Sequence, residues 1–348
     1  MAQDEELTVC PVRWAGDGLE LIDQTRLPGE LRRVLIDEVD ALVEAIRTLM
    51  VRGAPALGVA GAFGVAIAVR QGAREGWDRA ATLAAVERIR RARPTAVNLA
   101  RGVERAAARL DGGLDAVLAE AEAVRREDLA ANRRLSELGA DWLLARVGHD
   151  RPLRLLTHCN AGALATAGWG TALGVVREMH RRGRVELVYV DETRPLLQGT
   201  RLTAWELARE GIAHVVQVDG AAASTILYQG VDAAVVGADR IAANGDTANK
   251  IGTLGVALAC AHAGVPFLVA APSTTVDSDT PDGSAIPIEL RAPDEVTDPA
   301  VVRADPKSVG FNPAFDVTPG TLVSALATEL GVAEVARGEL PGTLWPAP

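Results

Sequence analysis

From Arg151 onward the chain repeats one pattern, and that pattern restricts the fold more than any other feature. Apolar runs recur at Leu153–Thr157, Val185–Val190, His214–Val218, Ala233–Gly237 and Pro266–Ala271, with helix-compatible stretches filling most of the intervals. A strand covered on both faces has no polar side, so it reads as a short unbroken apolar run instead of an alternation. Such strands alternating with helices predict a parallel sheet wound on both faces. The expected fold class is α/β: a helical N-terminal domain followed by a Rossmann-like parallel-sheet domain.

Before Arg151 the rhythm differs. Residues 8–24 read as a strand or hairpin around Val12, Trp14 and Leu19–Ile22. From Leu31 to Arg146, Ala, Leu, Arg and Glu dominate, predicting helices over 38–50, 54–71, 78–92, 96–110, 113–131 and 133–146. Gly148, His149, Asp150 and Pro152 make a linker, so the expected domains are 1–148, mainly helical with a short β segment at its start, and 149–348, the catalytic α/β domain. The arginines between Arg79 and Arg134 read as solvated helix faces.

Composition removes several function classes. A formal net charge of −10 opposes binding to nucleic acid. Three widely spaced cysteines (Cys10, Cys159, Cys260) make neither a disulfide framework nor a zinc motif. None of the five histidines has a partner at ligand spacing, so no metal is expected. The start, MAQDEELTVC, lacks an apolar signal core, and no uncharged apolar stretch is read as long enough to span a membrane. The expectation is a cytoplasmic protein. G-x-S-x-G, P-loop and dinucleotide glycine motifs are all missing.

Candidate chemistry lies where the apolar runs end. Cys159 follows Leu153–Thr157 in a small-residue turn before a helix-compatible segment, and a helix start lowers a thiol pKa; an inert buried thiol is the competing reading. Asp239 occupies a turn after Ala233–Gly237, where apolar neighbours would hold it protonated for delivery; a helix cap or surface pair with Arg240 is the alternative. Gln198, after the Asp191–Pro195 turn, suits a sugar hydroxyl. Asn249 and Lys250, read as opening a helix over Ile251–Ala263, make an anion handle. The Arg52-Gly53-Ala54-Pro55 segment combines a forked cation with a helix start, an anion cradle or else simply a tightly packed glycine-rich helix. Arg93, beside Pro94, has no signal of its own beyond its position.

Taken in order, Arg52–Ala56, Arg93-Pro94-Thr95, His158–Thr166, Asp191–Pro195, Gly237–Asp246, Asn249–Thr253 and Asn312–Asp316 form a recognisable set. From about Arg13 to about Val332 the chain resembles the methylthioribose-1-phosphate isomerases of the initiation-factor-2B-like superfamily. The resemblance implies an aldose-to-ketose isomerisation of 5-methylthioribose 1-phosphate in methionine salvage. It carries over Cys159 and Asp239 as the catalytic pair, and Arg52, Gly53, Ala54, Arg93, Gln198, Asn249 and Lys250 as substrate binders. It also implies a homodimer that needs no cofactor. The alanine-rich Gly220–Ser224 stretch and Leu290 depart from the family pattern outside these residues. Competing readings are an isomerase of 5-deoxyribose 1-phosphate or ribose 1,5-bisphosphate, a non-catalytic regulatory subunit, and a nucleotide-binding module.

Overall fold

A computed structural model describes residues 9–94, 96–297, 304–305 and 307–345. The acidic start of the chain and Thr95 of the Arg93–Thr95 motif lie outside the described residues. Two compact units emerge: Met1–Arg134 with Ala161–Gly174, and Leu135–Asn160 with Val175–Pro348. This differs from the expected division at 148/149, because residues 113–147 form a single helix and the units part inside it. The expected interruption at Asn132 does not occur. Its side chain is buried and its Nδ2 donates 2.8 Å back to the Asp128 carbonyl, which turns the amide donor onto the helix's own backbone.

In the first unit, β1 (Val12–Ala15), β2 (Gly18–Ile22) and β3 (Arg33–Ile36) form an antiparallel sheet. Helices α1 (Val39–Arg47), α2 (Ala54–Glu75), α3 (Arg79–Arg90), α4 (Val97–Ala107) and the start of α5 (Gly113–Val147) follow. Every residue of α2 from Ala56 to Ala68 is buried. Its glycines set the packing distance: a Cβ on Gly102 of α4 would stand 2.0 Å from the Gly58 carbonyl oxygen, and one on Gly61 2.8 Å from Leu99 Cδ1. Contrary to expectation, α2 is long and apolar enough to cross a membrane by length and composition alone. However, 78% of its most apolar window is buried inside the protein. The arginines of α3–α5 mostly pair with acids on exposed faces, as Arg105 does with Glu120 and Glu127; Arg125 is the buried exception, held by Glu122.

The second unit carries β4 (Leu153–Thr157), all but the first three residues of α6 (Ala172–Arg181), β5 (Val185–Asp191), α7 (Ala204–Arg209), β6 (His214–Gln217), α8 (Ala222–Tyr228) and β7 (Ala233–Val236). It continues with β8 (Arg240–Ala242), β9 (Thr247–Lys250), α9 (Thr253–Ala263), β10 (Phe267–Ala270), β11 (Val276–Asp277), β12 (Phe315–Thr318), β13 (Ala325–Thr328) and β14 (Gly331–Ala333). The large sheet has the order β14-β13-β10-β7-β4-β5-β6, parallel except for β14. Starting from β4, the chain lays β5 and β6 on one side and then β7, β10 and β13 on the other. The switch point therefore lies between β4 and β7, where connections leaving in opposite directions open a crevice at the carboxyl ends of the strands. Cys159 and Asp239 follow those two strands.

A second sheet, β11-β8-β9-β12, was not anticipated. It corrects the reading of Asn249 and Lys250, which end β9 instead of opening a helix; α9 begins at Thr253. In antiparallel register, Asn249 faces Asp316 and Lys250 faces Phe315 of β12.

Candidate active site

The Cys159 turn is built by pinning an unfavourable backbone. Cys159 is left-handed at φ +64°, a conformation that costs a non-glycine residue about 1–3 kcal/mol. Both of its backbone polar groups are held by threonines: its N–H donates 2.9 Å to Thr193 Oγ1, and Thr203 Oγ1 donates 2.6 Å to its carbonyl. Asn160 is tied in turn, its Nδ2 donating to Thr203 Oγ1 (3.2 Å) and Glu206 Oε1 (2.9 Å). Glu206 also receives the buried Arg177 guanidinium at 2.7 Å. Cys159 is half-buried. It does not stand at a helix start as expected; a short helical turn occupies Ala163–Ala165 and α6 begins only at Ala172. The small residues after Cys159 are used in tight turns, leaving no run for a helix to nucleate.

On the other side of the turn, His158 is 1% exposed and lies between two acceptors. Its Nδ1 is 3.0 Å from Asp191 Oδ2 and its Nε2 is 2.8 Å from the Ile251 carbonyl oxygen. Burial is the largest single influence and opposes charge on the ring. The Asp191 hydrogen bond and charge, the Ile251 carbonyl and the Asp219 charge together outweigh it, so the imidazole pKa sits above its ordinary value. His158, Asp191 and Asp219 are the one cluster among the described residues with donor atoms close enough for a metal ion. Their atoms are already engaged: Asp191 Oδ1 accepts from Gln217 Nε2, and Asp219 accepts the backbone N–H groups of Thr193 and Arg194. The donor set fits a hydrogen-bonded network better than a coordination shell.

Gln198 is buried, and its Oε1 has no hydrogen-bond partner among the described residues. It precedes a π-helical turn, Gly199–Thr203, of the kind that recurs at functional sites. Gly199 makes that turn possible, since a Cβ there would lie 1.7 Å from the Asp191 carbonyl oxygen. Asn249 and Lys250 are buried. Asn249 Nδ2 donates to Thr253 Oγ1 at 3.0 Å, and Lys250 Nζ sits 4.9 Å from the centre of the Phe315 ring. Asp239 lies between β7 and β8, its N–H donating 2.9 Å to the Ala248 carbonyl. Its side chain is exposed, which corrects the expected dry setting: the turn joins β7 to β8 at the carboxyl end of the large sheet, where the apolar residues next to it in sequence do not cover it.

The remaining anticipated residues belong to the first unit. Gly53 caps α2 at φ +94°, where any Cβ would come within 2.4 Å of the Ala165 carbonyl oxygen. No side chain caps that helix start, Arg52 and Ala54 beside it are half-buried, and so is Arg93 before α4. Cys159, Gln198, Asp239, Asn249 and Lys250 thus lie in the second unit, and Arg52, Gly53, Ala54 and Arg93 in the first. Residues without individual roles in the sequence reading also build the site. Asp316 accepts from the N–H groups of Gly252 (2.7 Å) and Leu254 (3.2 Å), and burial, its largest influence, lifts its carboxyl above the usual range. The signal for His158 and Asp191 was available, since each places an ionisable group at the very end of a buried strand.

The model of the initiation factor 2 subunit family matches residues 50–335. The methylthioribose-1-phosphate isomerase of Gloeobacter violaceus is 52% identical over 342 residues, covering 95% of this chain and 94% of that protein. Its counterpart from Anaeromyxobacter sp. (strain K) is 53% identical over 319 residues, covering 91% of each. Among solved structures, the 5-methylthioribose 1-phosphate isomerase of Pyrococcus horikoshii superposes with a TM-score of 0.85 at 39% identity, covering 95% of this chain and 94% of that one. The translation initiation factor eIF-2B subunit delta of A. fulgidus superposes with a TM-score of 0.85 at 38% identity, covering 98% and 100%. The chain therefore belongs to the initiation factor 2 subunit family, among its methylthioribose-1-phosphate isomerases.

Proposed function

We propose that this protein is an aldose–ketose isomerase converting 5-methylthioribose 1-phosphate to 5-methylthioribulose 1-phosphate in methionine salvage. The observation that carries the reading is the pairing of a thiol and a carboxyl at the strand ends flanking the sheet's switch point, in a chain about half identical to enzymes of that name. The substrate's anomeric carbon is phosphorylated, so its ring cannot open as a free hemiacetal does. Asp239 donates a proton to the ring oxygen while the phosphate stays on C1. Hydrogen then moves from C2 to C1, the C2 hydroxyl loses its proton, and C2 becomes the ketone. Cys159 serves that transfer, as base or as stabiliser of the transition state. The bound sugar displaces water from the exposed Asp239, supplying the desolvation that the unliganded chain lacks.

Arg52, Gly53 and Ala54 take the phosphate at the start of α2, joined by Arg93. Gln198 receives a sugar hydroxyl on its unpartnered Oε1, and Asn249 and Lys250 complete the binding. The reaction as written needs no cofactor or metal. A homodimer is supported by the exposed Val215 and Val216 of edge strand β6 with Val218 and Tyr228 nearby, and light scattering tests it. A cytoplasmic location is supported by three cysteines that form no disulfide with one another; fractionation tests it.

The experiment is turnover of 5-methylthioribose 1-phosphate beside 5-deoxyribose 1-phosphate and ribose 1,5-bisphosphate, repeated with Cys159→Ser and Asp239→Asn. Preference for the first sugar and a loss of about 10²–10⁴-fold in each variant are expected. Near-normal activity of a variant removes that residue from the mechanism. Deuterium at C2 retained at C1 assigns a hydride shift, and exchange with solvent assigns an enediol. The equally close likeness to an initiation-factor subunit keeps one second reading: no turnover of any sugar would favour a regulatory subunit.

A further inference from the structure

The motif residue before Cys159 has no role in the chemistry above, yet its buried side chain is held at both ring nitrogens. His158 touches three segments that arrive from different parts of the sequence. Its backbone ends β4 and leads into the Cys159 turn. Its Nδ1 meets Asp191 at the end of β5 (3.0 Å), and its Nε2 meets the Ile251 carbonyl just after Lys250 (2.8 Å). The ring also lies against Gly252, where a Cβ would come within 2.7 Å of His158 Cε1.

Both contacts call for a donor. A carbonyl oxygen can only accept, so Nε2 carries a hydrogen, and an ionised Asp191 Oδ2 requires one on Nδ1. We propose that His158 is a positioning residue, a doubly protonated imidazolium that locks the Cys159 turn to the Lys250–Gly252 turn and so fixes the thiol relative to Asn249 and Lys250. The assignment rests on the isomerase reading for its catalytic consequence but not for its protonation state. Asp191 on β5, Asp219 after β6 and Asp316 on β12 are titratable groups whose charges interact with the ring, and all three are acids. Their field acts in the same direction as the hydrogen-bond geometry. Deprotonation would set a nitrogen lone pair against one of the two acceptors and release one of the two turns.

Nuclear magnetic resonance on the full chain with ¹⁵N-labelled histidine tests the protonation state. Only five histidines are present, so the His158 signals are assigned by their disappearance in His158→Gln or, if that variant fails to fold, by elimination with variants of the other four. Two ring N–H protons on His158 at neutral pH are expected. A single N–H, with the other proton on Asp191, would overturn the assignment. Kinetics test the positioning role: His158→Gln offers one donor where the ring offers two, and kcat should fall about 10²-fold, the scale of an ångström-sized misplacement, with KM changed far less. An unchanged kcat would refute it, as would a loss confined to KM. Should the wild-type protein turn over no sugar, the isomerase reading fails while the spectrum still decides the state of His158.

Discussion

Removing the Thr203 hydroxyl tests whether the Cys159 turn is held as described. Thr203→Val keeps the side chain's shape in a fully buried position while deleting one donor and one acceptor. The donor is the bond to the Cys159 carbonyl at 2.6 Å, and the acceptor receives Asn160 Nδ2 at 3.2 Å. Leaving a partly buried carbonyl without its donor costs about 1–3 kcal/mol. Asn160 keeps Glu206 at 2.9 Å, so its share is small. The expected loss is about 2 kcal/mol, or about 4–8 °C in the midpoint of thermal unfolding for a unit of this size. Thr203→Ser keeps the hydroxyl and loses one methyl, about 0.8 kcal/mol, so it should be the milder change. The same order should hold for turnover, because the valine variant frees a left-handed Cys159 to relax. Differential scanning calorimetry and initial rates on both variants suffice. If the serine variant proves as damaging as the valine one, packing and not the hydroxyl holds the turn, and the reasoning fails.

Gly199→Ala would force a Cβ to within 1.7 Å of the Asp191 carbonyl; it should abolish turnover and cost at least the roughly 1–3 kcal/mol of an overpacked site, and a normal melting midpoint would contradict that geometry. Gly102→Ala, whose Cβ would stand 2.0 Å from the Gly58 carbonyl, should push α4 off α2 and lower the midpoint despite alanine's better helix propensity; a raised midpoint would refute it. The native fold holds the His158 proton more tightly than the unfolded chain does. Its stabilising contribution is therefore complete below pH about 6.5 and is lost as pH rises through the higher folded-state pKa. His158→Gln should flatten that alkaline decline, and parallel curves for the two proteins would remove His158 as its source. Burial pushes the Cys260 thiol up to about 12, so of the three cysteines it alone should resist alkylation at pH 8 until the protein unfolds. Labelling followed by peptide mapping checks this.

The parallel strands are legible because their apolar runs recur between helices: burial on both faces explains β4, β7 and β10, whereas β5 is partly and β6 largely exposed, and these two are marked by their β-branched residues alone. The second sheet is not. Thr247-Ala248-Asn249-Lys250 is polar, short and stabilised by pairing with residues 315–318, so nothing local marks it as a strand. Likewise, Gly113–Val147 reads as two helices because propensity at Asn132 is poor, whereas its hydrogen bond back to Asp128 lets the helix run through. The strand-end positions of Cys159 and Asp239 are legible in the sequence, but their surroundings are not: helix start and dry pocket are properties of what folds over a turn, and no sequence window contains that. His158 and Asp191 illustrate the same limit, since residues 33 apart meet only when β4 and β5 pair.

The placement of β12 has a consequence for how this protein comes into being on the ribosome. The segment bearing Asn249 and Lys250 is laddered to residues 315–318, and the turn after it is fastened by Asp316. Synthesis supplies these pieces only after β4, β5, β6, β7 and β10 have been made. A nascent chain can therefore fold its helical unit and much of the parallel sheet while Lys250 still lacks a fixed seat. The order of translation thus delays a finished site until the fold that must support it is nearly whole.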